Sequence, residues 1–367
     1  MRVALLTLLV GVSTLASAQA PATASIDSNQ VWQMQDSATT AGLRGIDSVD
    51  GTVAWATGTG GTVLKTTDGG AHWMRCATPD AATDGATLDF RGVQAEDGYF
   101  AFVMASGPGQ KSRLYRTTDG CKTWALLAKN KDEKGFWDGV VLQREYFGYL
   151  SVRDVGVLIG DAVHGRFETR RGLIQNIQIT DSAGCEARDK ESAFAASNSS
   201  IIDLGPEYLL GTGGRGGGRL LIAPRLNAGE STNPCEAVEI PIKKGSESSG
   251  VFSIDLRDMK HLIAVGGDYT KPNDSNGTAA YTNGDWFHWI ASTTPPHGYR
   301  SAVQWSESLK LWIAAGTNGS DLSRDDGRTW QPLDDGNWNA LSLPFAVGPS
   351  GRIARLNPSA LPPASNP

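Results

Sequence analysis

Three arginines and one aspartate stand at equivalent positions of a repeated unit, near the start of its first strand. Arg44, Arg91 and Arg300 hold this position in three units, and Asp138 holds it in a fourth. Arginine presents a planar fork of donors that suits carboxylates and phosphates. If the first strands line a common channel, these residues predict an anion-binding site at its mouth.

Further charged and polar residues are expected at the same mouth, because the connection between the second and third strands of a unit would reach that face. These candidates, together with one from the segment that enters the fourth unit, are Asp161, Arg166, Glu191, Arg215, Asp268, Tyr269 and Lys271. They predict a basin of mixed charge. Asp138 and Asp161 are the candidate acids if the site is catalytic. The alternative is a network of salt bridges that plugs the channel.

The unit is recognised by a repeated turn with the pattern Ser/Thr-x-Asp-x-x-x-x-Trp. It occurs at residues 66–73, 117–124 and 323–330. The aspartate accepts backbone N–H groups in such a turn, glycine permits a positive φ, and tryptophan packs between sheets. The expected structural residues are Asp68, Trp73, Asp119, Trp124, Asp325 and Trp330.

Each turn ends a unit of four short strands. The unit recurs along the chain with a less exact match to the pattern. Residues 43–356 contain six full units and one unit of three strands. Residues 30–35 supply the missing outer strand. The sequence therefore predicts an all-β, seven-bladed β-propeller over residues 30–357, with four-stranded antiparallel blades and a ring closed by both chain ends. Six or eight blades are the alternatives.

Composition agrees with this fold class and restricts function. The 367 residues include 44 glycines and 11 tryptophans, which suits many tight turns and large aromatic plugs. The net charge of -6 argues against a general nucleic-acid binder. After the N-terminal segment no stretch approaches the roughly 20 apolar residues of a membrane helix, so no membrane insertion is expected.

The N-terminus has the pattern of an export signal. Arg2 is followed by an apolar run over residues 3–10 and by the small residues Ala16, Ser17 and Ala18. We expect a signal peptide over residues 1–18, a flexible segment over residues 19–29, and a Pro-rich tail over residues 358–367. These segments predict a periplasmic or secreted protein. A buried N-terminal helix is the alternative.

Four cysteines, an even number, favour disulfides in an exported protein, with three possible connectivities. Cys185 with Cys235 is the favoured pair, because both lie in loops flanking one unit, and Cys76 with Cys121 is then the second pair. Four free thiols are the alternative. Neither the cysteines nor the five histidines have metal-ligand spacing, and the Gly-rich stretch 211–219 lacks a P-loop ending. No metal and no cofactor is expected.

The repeated unit resembles that of the BNR/Asp-box propellers, and especially the photosystem II assembly and stability factor group. The resemblance rests on Leu43-Arg44-Gly45-Ile46, the turn at 58–61 and the box at 66–73. Segments 160–167, 193–197, 266–272 and 298–301 are similar to an uncharacterised bacterial branch of these proteins. The resemblance covers nearly the whole mature chain, and it implies an assembly-factor-like role.

These observations favour a monomeric binding or scaffold module that docks a protein or peptide, or an acidic ligand or glycan, on the channel face. The first alternative is a sialidase-like glycoside hydrolase or a lyase acting on acidic sugars. Sialidases share the Asp-box and hold a carboxylate with three arginines, which Arg44, Arg91 and Arg300 could imitate. The tyrosine–glutamate pair of that chemistry has no convincing counterpart. The second alternative is a purely structural propeller.

Overall fold

A computed structural model gives the fold of most of the chain. It describes residues 30–147, 151–173, 178–182, 184–224 and 235–363. The expected signal peptide, the segment 19–29 and the last four residues of the expected tail lie outside the described residues.

The described residues form short β-strands, numbered here in chain order. The N-terminal strand and the strands of the first three blades are β1 (Trp32–Met34), β2 (Leu43–Ser48), β3 (Ala54–Gly58), β4 (Thr62–Thr66), β5 (Met74–Arg75), β6 (Phe90–Ala95), β7 (Ala101–Ala105), β8 (Arg113–Thr117), β9 (Ala125–Lys129), β10 (Trp137–Phe147), β11 (Ser151–Val163), β12 (Arg166–Leu173) and β13 (Gln178–Ser182).

The strands of the fourth and fifth blades, with two short strands that bridge between blades, are β14 (Glu191–Ser192), β15 (Ile201–Asp203), β16 (Glu207–Gly211), β17 (Gly213–Gly214), β18 (Arg219–Pro224), β19 (Glu236–Glu239), β20 (Ser249–Asp258), β21 (His261–Asp268), β22 (Ala279–Thr282) and β23 (Trp289–Ala291). The strands of the last two blades are β24 (Ala302–Ser306), β25 (Leu311–Gly316), β26 (Gly319–Ser323), β27 (Gln331–Asp334), β28 (Ala340–Ser342), β29 (Phe345–Val347) and β30 (Ile353–Leu356).

Seven antiparallel sheets of four main strands each are the blades of a propeller. From the centre outwards they are β2-β3-β4-β5, β6-β7-β8-β9, β10-β11-β12-β13, β15-β16-β18-β19, β20-β21-β22-β23, β24-β25-β26-β27 and β28-β29-β30-β1. The innermost strand of each blade contacts the innermost strands of both neighbouring blades, and β28 contacts β2. The predicted seven-bladed, all-β propeller is confirmed.

Strands from both chain ends close the ring in the seventh blade. The outer strand β1 pairs antiparallel with β30, with Trp32 opposite Leu356 and Met34 opposite Ala354. Trp32 is buried, and its ring centroid lies 5.4 Å from that of Trp338. This closure pairs an edge that would otherwise expose unpaired backbone groups.

The glycine that follows Arg44 is required by the close approach of inner strands. A Cβ atom at Gly45 would lie 2.7 Å from the backbone oxygen of Arg91 in the next blade. Only glycine leaves room for this contact between β2 and β6. Within the Arg44-Gly45 pair, the arginine lies at the channel and the glycine allows the two blades to approach each other.

The three boxed turns share one hydrogen-bond pattern between the third and fourth strands of their blades. In the first, the Thr66 hydroxyl donates to Asp68 Oδ1 at 2.8 Å, the Gly70 N–H donates to Thr66 Oγ1, and the His72 N–H donates to Asp68 Oδ1. The turns that begin at Thr117 and Ser323 repeat these contacts. The boxes therefore stabilise turns at the periphery of the blades.

Two disulfides connect adjacent blades. Cys76, which follows the outer strand of the first blade, is bonded to Cys121 in the boxed turn of the second. Cys185, which follows the outer strand of the third blade, is bonded to Cys235 just before the outer strand of the fourth. Both bonds lie at the outer side of the ring, where neighbouring blades diverge.

The only helices in the described ranges are 3-10 turns at Gly85–Thr87, Gly109–Lys111 and Pro358–Ala360. None of these has the length or apolar character that would let a helix cross a membrane. The third turn lies in the expected tail, where Leu361 packs against the core of the seventh blade.

Candidate functional site

A cavity of about 460 Å³ opens at the end of the channel where the inner strands begin. Its wall has a charged part from the first three blades and an aromatic part from the fifth and sixth. The lining residues are Arg44, Arg91, Phe136, Asp138, Asp161, Ser192, Ala193, Phe194, Ala195, Ala196, Phe252, Tyr269, Tyr299, Ser301, Thr317 and Asn339. This volume lies within the range of ligand-binding sites.

Arg44, on β2, is a half-buried cation without a partner. Its guanidinium makes no hydrogen bond or ion pair with any described residue. Burial lowers the pKa of Arg44 from its ordinary value, and the nearby Arg91 charge lowers it further. A guanidinium that has lost hydration and gained no acceptor is complementary to an anionic ligand.

Arg91, on β6, is held in place by its own blade and by the segment across the mouth. Its Nε donates to Asp89 Oδ2 at 2.8 Å, and its Nη1 donates to the backbone oxygen of Ala195 at 3.3 Å. The guanidinium carbon lies 5.9 Å from the centre of the Phe136 ring. Arg91 is therefore a positioned second cation, already partly neutralised by Asp89.

Asp138 and Asp161 place one buried and one partly buried carboxyl beside the arginines. Asp138 is 2% exposed, and its Oδ2 has no hydrogen-bond partner among the described residues. Burial, followed by the charge of Asp161, raises the pKa of Asp138 well above its ordinary value. Burial also raises the pKa of Asp161 to about 6, although its Oδ1 accepts the Ala193 N–H at 3.0 Å. The pair therefore favours holding a proton near neutral pH.

The aromatic part of the wall is a cluster of four rings. Phe194 and Phe252 are stacked with centroids 3.9 Å apart and an angle of 5° between their planes. Tyr299 and Tyr269 meet Phe252 edge to face at 4.8 and 6.2 Å. Tyr269 is 51% exposed, so the cluster presents an open apolar surface to the cavity.

The segment that carries Phe194 is fixed over the mouth by a buried ion pair and a short bridging sheet. Glu191 accepts hydrogen bonds from Arg219 Nε at 2.9 Å and from the Thr212 hydroxyl at 2.6 Å. Strand β14 pairs with β17, which in turn pairs with β20. A Cβ atom at Gly213 would lie 1.9 Å from the Phe194 ring, so the Gly-rich loop is what allows this packing. Glu191 thus has a structural position behind the wall and does not line the cavity.

Arg300 is not brought to the cavity with the other two arginines. It is fully buried inside the sixth blade, where its Nε donates to Asp321 Oδ2 at 2.6 Å and its Nη1 donates to Asn318 Oδ1 at 2.6 Å. The expected arrangement of three arginines is therefore not formed. The reason is Asp321 on β26, a buried acid that captures the side chain.

Four further candidates also lie off the cavity wall, and each has a polar or charged partner outside that wall. Arg166 donates to Glu186 at 2.8 Å, and Arg215 donates to Glu247 at 3.3 Å, both at exposed positions. Asp268 is buried and accepts the Thr270 hydroxyl at 2.6 Å. Lys271 lies 4.0 Å from Asp268 and is largely exposed. The mixed-charge basin is thus divided into an inner cavity and an outer rim of paired charges.

Comparisons with known proteins agree with the blade plan. No protein-family model matches the chain. The photosystem II assembly lipoprotein Ycf48 of Synechococcus sp. (strain CC9902) is 24% identical over 333 residues, which are 89% of this chain and 85% of the relative. This chain is similar to the photosystem II assembly factor Ycf48.

Solved structures of Ycf48 share the fold at low identity. Ycf48 from Cyanidioschyzon merolae superposes with a TM-score of 0.61 at 17% identity, over 90% of this chain and 99% of that one. A structure described as Ycf48 bound to D1 peptide superposes with a TM-score of 0.59 at 15% identity, over 93% of this chain and 99% of that one. The resemblance to the photosystem II assembly factor group is thereby confirmed, and the structures bear on the fold alone.

Sequence reasoning named Tyr269 and missed the other three rings of the aromatic cluster. Phe252 stands at the position that is arginine in three other units, which was a signal of a channel-facing side chain. Phe194, Tyr299 and Thr317 had no signal, because they come from connections whose path depends on the ring. In the described part of the chain, no group of three or more His, Cys, Asp or Glu residues is arranged to hold a metal ion.

Proposed function

We propose that this chain is an exported, assembly-factor-like binding module that docks an acidic peptide segment of a partner protein in the channel-mouth cavity. The observation that carries the proposal is Arg44, a half-buried guanidinium with no partner among the described residues, facing a cavity of ligand size. Arg91 beside it supplies a second, positioned donor group. The acidic group of the peptide would complete the hydrogen bonds of Arg44.

A peptide is the favoured ligand because the wall combines charge with a broad aromatic surface. Phe194, Phe252 and Tyr269 offer ring faces and edges to an apolar side chain next to the acidic group. The similarity to Ycf48, one structure of which is described as bound to D1 peptide, supports a peptide over a glycan. The partner of Ycf48 is not assigned to this chain.

Two alternatives fit the cavity less well. A purely structural plug would pair its charges, whereas Arg44 and Asp138 Oδ2 lack partners among the described residues. A sialidase-like site would hold its substrate with three arginines, whereas Arg300 is buried in its own blade against Asp321.

Export is part of the proposal. Disulfides persist in oxidising compartments, so the bonds Cys76–Cys121 and Cys185–Cys235 support a periplasmic or secreted protein. The apolar run and small residues over 1–18 support a cleaved signal peptide. In the described ranges each of the seven blades has its four main strands, so the ring closes without a strand from a second copy, which supports a monomer.

The test measures binding of two blocked tripeptides to the mature protein by ligand-observed NMR. Acetyl-Glu-Phe-Gln-amide carries one anion, and acetyl-Gln-Phe-Gln-amide carries none. We expect the anionic peptide to bind about tenfold more tightly, with the difference removed by Arg44→Gln, since a hydrogen bond to a charged group is worth roughly 1.5–3 kcal/mol.

The matched control is Arg75→Gln, which removes an exposed arginine on the outer strand β5. It should retain the wild-type preference. Equal affinity for the two peptides, or a preference that survives Arg44→Gln, would contradict the proposal.

A further inference from the structure

We propose that Asp138 and Asp161 form a second recognition element, which takes a cationic group of the same peptide. The occupant would then present an anion to Arg44 and Arg91 and a cation to the two carboxyls, with an apolar side chain on the aromatic cluster. This inference rests on the proposed function and specifies the chemistry of the ligand.

The first support is the unpartnered oxygen of Asp138. The side chain is almost completely buried and lines the cavity, yet its Oδ2 has no hydrogen-bond partner among the described residues. Buried polar atoms are nearly always paired, and an unpaired carboxylate oxygen is among the least favourable exceptions. A donor supplied by the ligand would remove this penalty.

The second support is the charge around Asp138. Asp161 on β11 and Glu168 on β12 both oppose its ionisation, and Arg91 on β6 favours it. Arg91 is already bonded to Asp89 and to the Ala195 backbone. Arg44, Tyr269 and Tyr299 line the same cavity, and among its lining residues there is no lysine or histidine. Arg44 is the other cation among the lining residues, and it makes no ion pair with Asp138 or Asp161, so neither carboxyl is paired with a cation of the described cavity wall.

The third support is the arrangement of the wall around the ring. The arginines come from the first and second blades, the carboxyls from the third, and the aromatic cluster from the fifth blade, the connection to the sixth, and the segment over the mouth. Three chemically distinct parts therefore surround one cavity in sequence. A short peptide with an acidic, an aromatic and a basic side chain matches all three.

Binding of the cation would be linked to release of a proton. Burial raises the pKa of Asp161 to about 6, and burial together with the Asp161 charge raises the pKa of Asp138 well above its ordinary value, so the empty pair retains a proton in mildly acidic solution. A peptide ammonium competes with that proton. The affinity for a cationic peptide should therefore rise with pH, by up to roughly tenfold per pH unit while the proton is held.

The experiment adds one probe, acetyl-Glu-Phe-Lys-amide, and compares it with acetyl-Glu-Phe-Gln-amide between about pH 5.5 and about pH 8. We expect the lysine peptide to bind at least about tenfold more tightly at the upper pH, and the advantage to fall below about threefold at the lower pH. Asp138→Asn should remove the preference for lysine and retain the preference for glutamate.

Asp335→Asn is the matched control, because the Asp335 carboxylate is fully exposed and outside the cavity wall. If Asp138→Asn does not fold, Asp161→Asn and the wild-type pH series carry the test. Equal binding of the two glutamate peptides at the upper pH, with dependence on Arg44 intact, would reject the carboxyl pair as a recognition element and leave the proposed function standing. If the wild-type protein binds acetyl-Glu-Phe-Gln-amide no more tightly than acetyl-Gln-Phe-Gln-amide, both the proposed function and this inference are rejected.

Discussion

Arg300 and Asp321 form an ion pair that is completely buried inside the sixth blade, with Arg300 Nε 2.6 Å from Asp321 Oδ2. His297 Nδ1 lies 2.8 Å from the other carboxylate oxygen, so the acid is shared between two basic side chains. The pair binds β26 to the segment that precedes β24. It thereby removes Arg300 from the channel, although the sequence places it in line with Arg44 and Arg91.

Breaking this pair should strongly destabilise the fold. We expect Arg300→Ala to lower the free energy of unfolding by about 3–5 kcal/mol, because the buried Asp321 carboxylate loses its guanidinium partner and retains only His297. The double variant Arg300→Met with Asp321→Leu should lose less, since no buried charge remains. Urea unfolding measures both, and Arg166→Ala, which breaks an exposed pair, serves as control with a loss below about 1 kcal/mol. Similar losses for Arg300→Ala and Arg166→Ala would contradict this interpretation.

The pH dependence of stability should show two partly buried aspartates at the contacts between blades. Asp47 accepts the Ala95 N–H at 2.6 Å, and Asp255 accepts the Trp305 N–H at 2.7 Å, in each case from the next inner strand. Burial raises the pKa of both carboxyls to about 6. Because the folded state holds these protons more tightly than the unfolded state, the two carboxyls stabilise the fold fully at a pH below their unfolded-state pKa. This contribution is lost as the pH rises through about 6.

The free energy of unfolding should therefore increase between about pH 7.5 and about pH 5, by about 1 kcal/mol for each carboxyl. The double variant Asp47→Asn with Asp255→Asn should reduce this increase by about 2 kcal/mol and leave the part contributed by Asp138 and Asp161, whose pKa values are also raised. Asp335→Asn should leave the dependence unchanged. Below about pH 4 the trend should reverse, because hydrogen bonds in the boxed turns lower the pKa of Asp68 and Asp119 to about 2. A wild-type stability that is flat from pH 7.5 to 5 would show that Asp47 and Asp255 do not titrate as expected.

Cys121 combines a disulfide with a strained backbone. Its φ is 69°, in a position occupied by glycine in the other two boxes, Gly70 with φ 87° and Gly327 with φ 82°. Left-handed backbone is unfavourable for a residue with a Cβ atom by roughly 1–2 kcal/mol. Thermal unfolding should therefore rank Cys76→Ala/Cys121→Gly as more stable than Cys76→Ala/Cys121→Ala by about 1 kcal/mol.

Both double variants should remain less stable than the wild type, because a disulfide across such a loop contributes about 2–4 kcal/mol. The control compares Cys235→Ala/Cys185→Gly with Cys235→Ala/Cys185→Ala, because Cys185 does not have a left-handed backbone. If alanine and glycine at position 121 give the same melting temperature, the backbone strain is absent.

Trp32 should be the main anchor of ring closure. It is buried between the last two blades, packs on Trp338, and donates its Nε1–H to Ser320 Oγ at 2.9 Å. We expect Trp32→Ala to lower the free energy of unfolding by about 3–5 kcal/mol. Tyr99→Ala, at a position 68% exposed, should change it little. Comparable effects of the two substitutions in urea would mean that β1 contributes little to closure.

The repeated unit made the fold predictable because its determinants are local. The box at 66–73 fixes a turn through side-chain hydrogen bonds between residues two to four positions apart. The same pattern at 117–124 and 323–330, with the three-strand final unit, was enough to predict the number of blades and the pairing of β1 with the C-terminal blade. Such short-range contacts do not depend on the rest of the molecule.

The candidate site was predictable only in part. Arg44, Arg91, Asp138, Asp161 and Tyr269 line the cavity, and each was named from its position within a unit. Arg300 has the same position within its unit, but its side chain lies inside the sixth blade because it pairs with the buried carboxylate of Asp321. Whether an arginine faces a channel or its own blade is decided by partners distant in sequence.

By itself, the sequence determined the all-β class, the strand order of each blade and the turns that end them, because these follow from local hydrogen bonding and from the repetition of one unit along the chain. Only the tertiary structure decided which charges meet. Asp138 and Asp161 lie 23 positions apart in the sequence, and Phe194 and Phe252 lie 58 apart, and closing the ring brings both pairs to one cavity. Pairing between charges and stacking between rings depend on distance in space, which a repeat sets only after all seven blades have assembled.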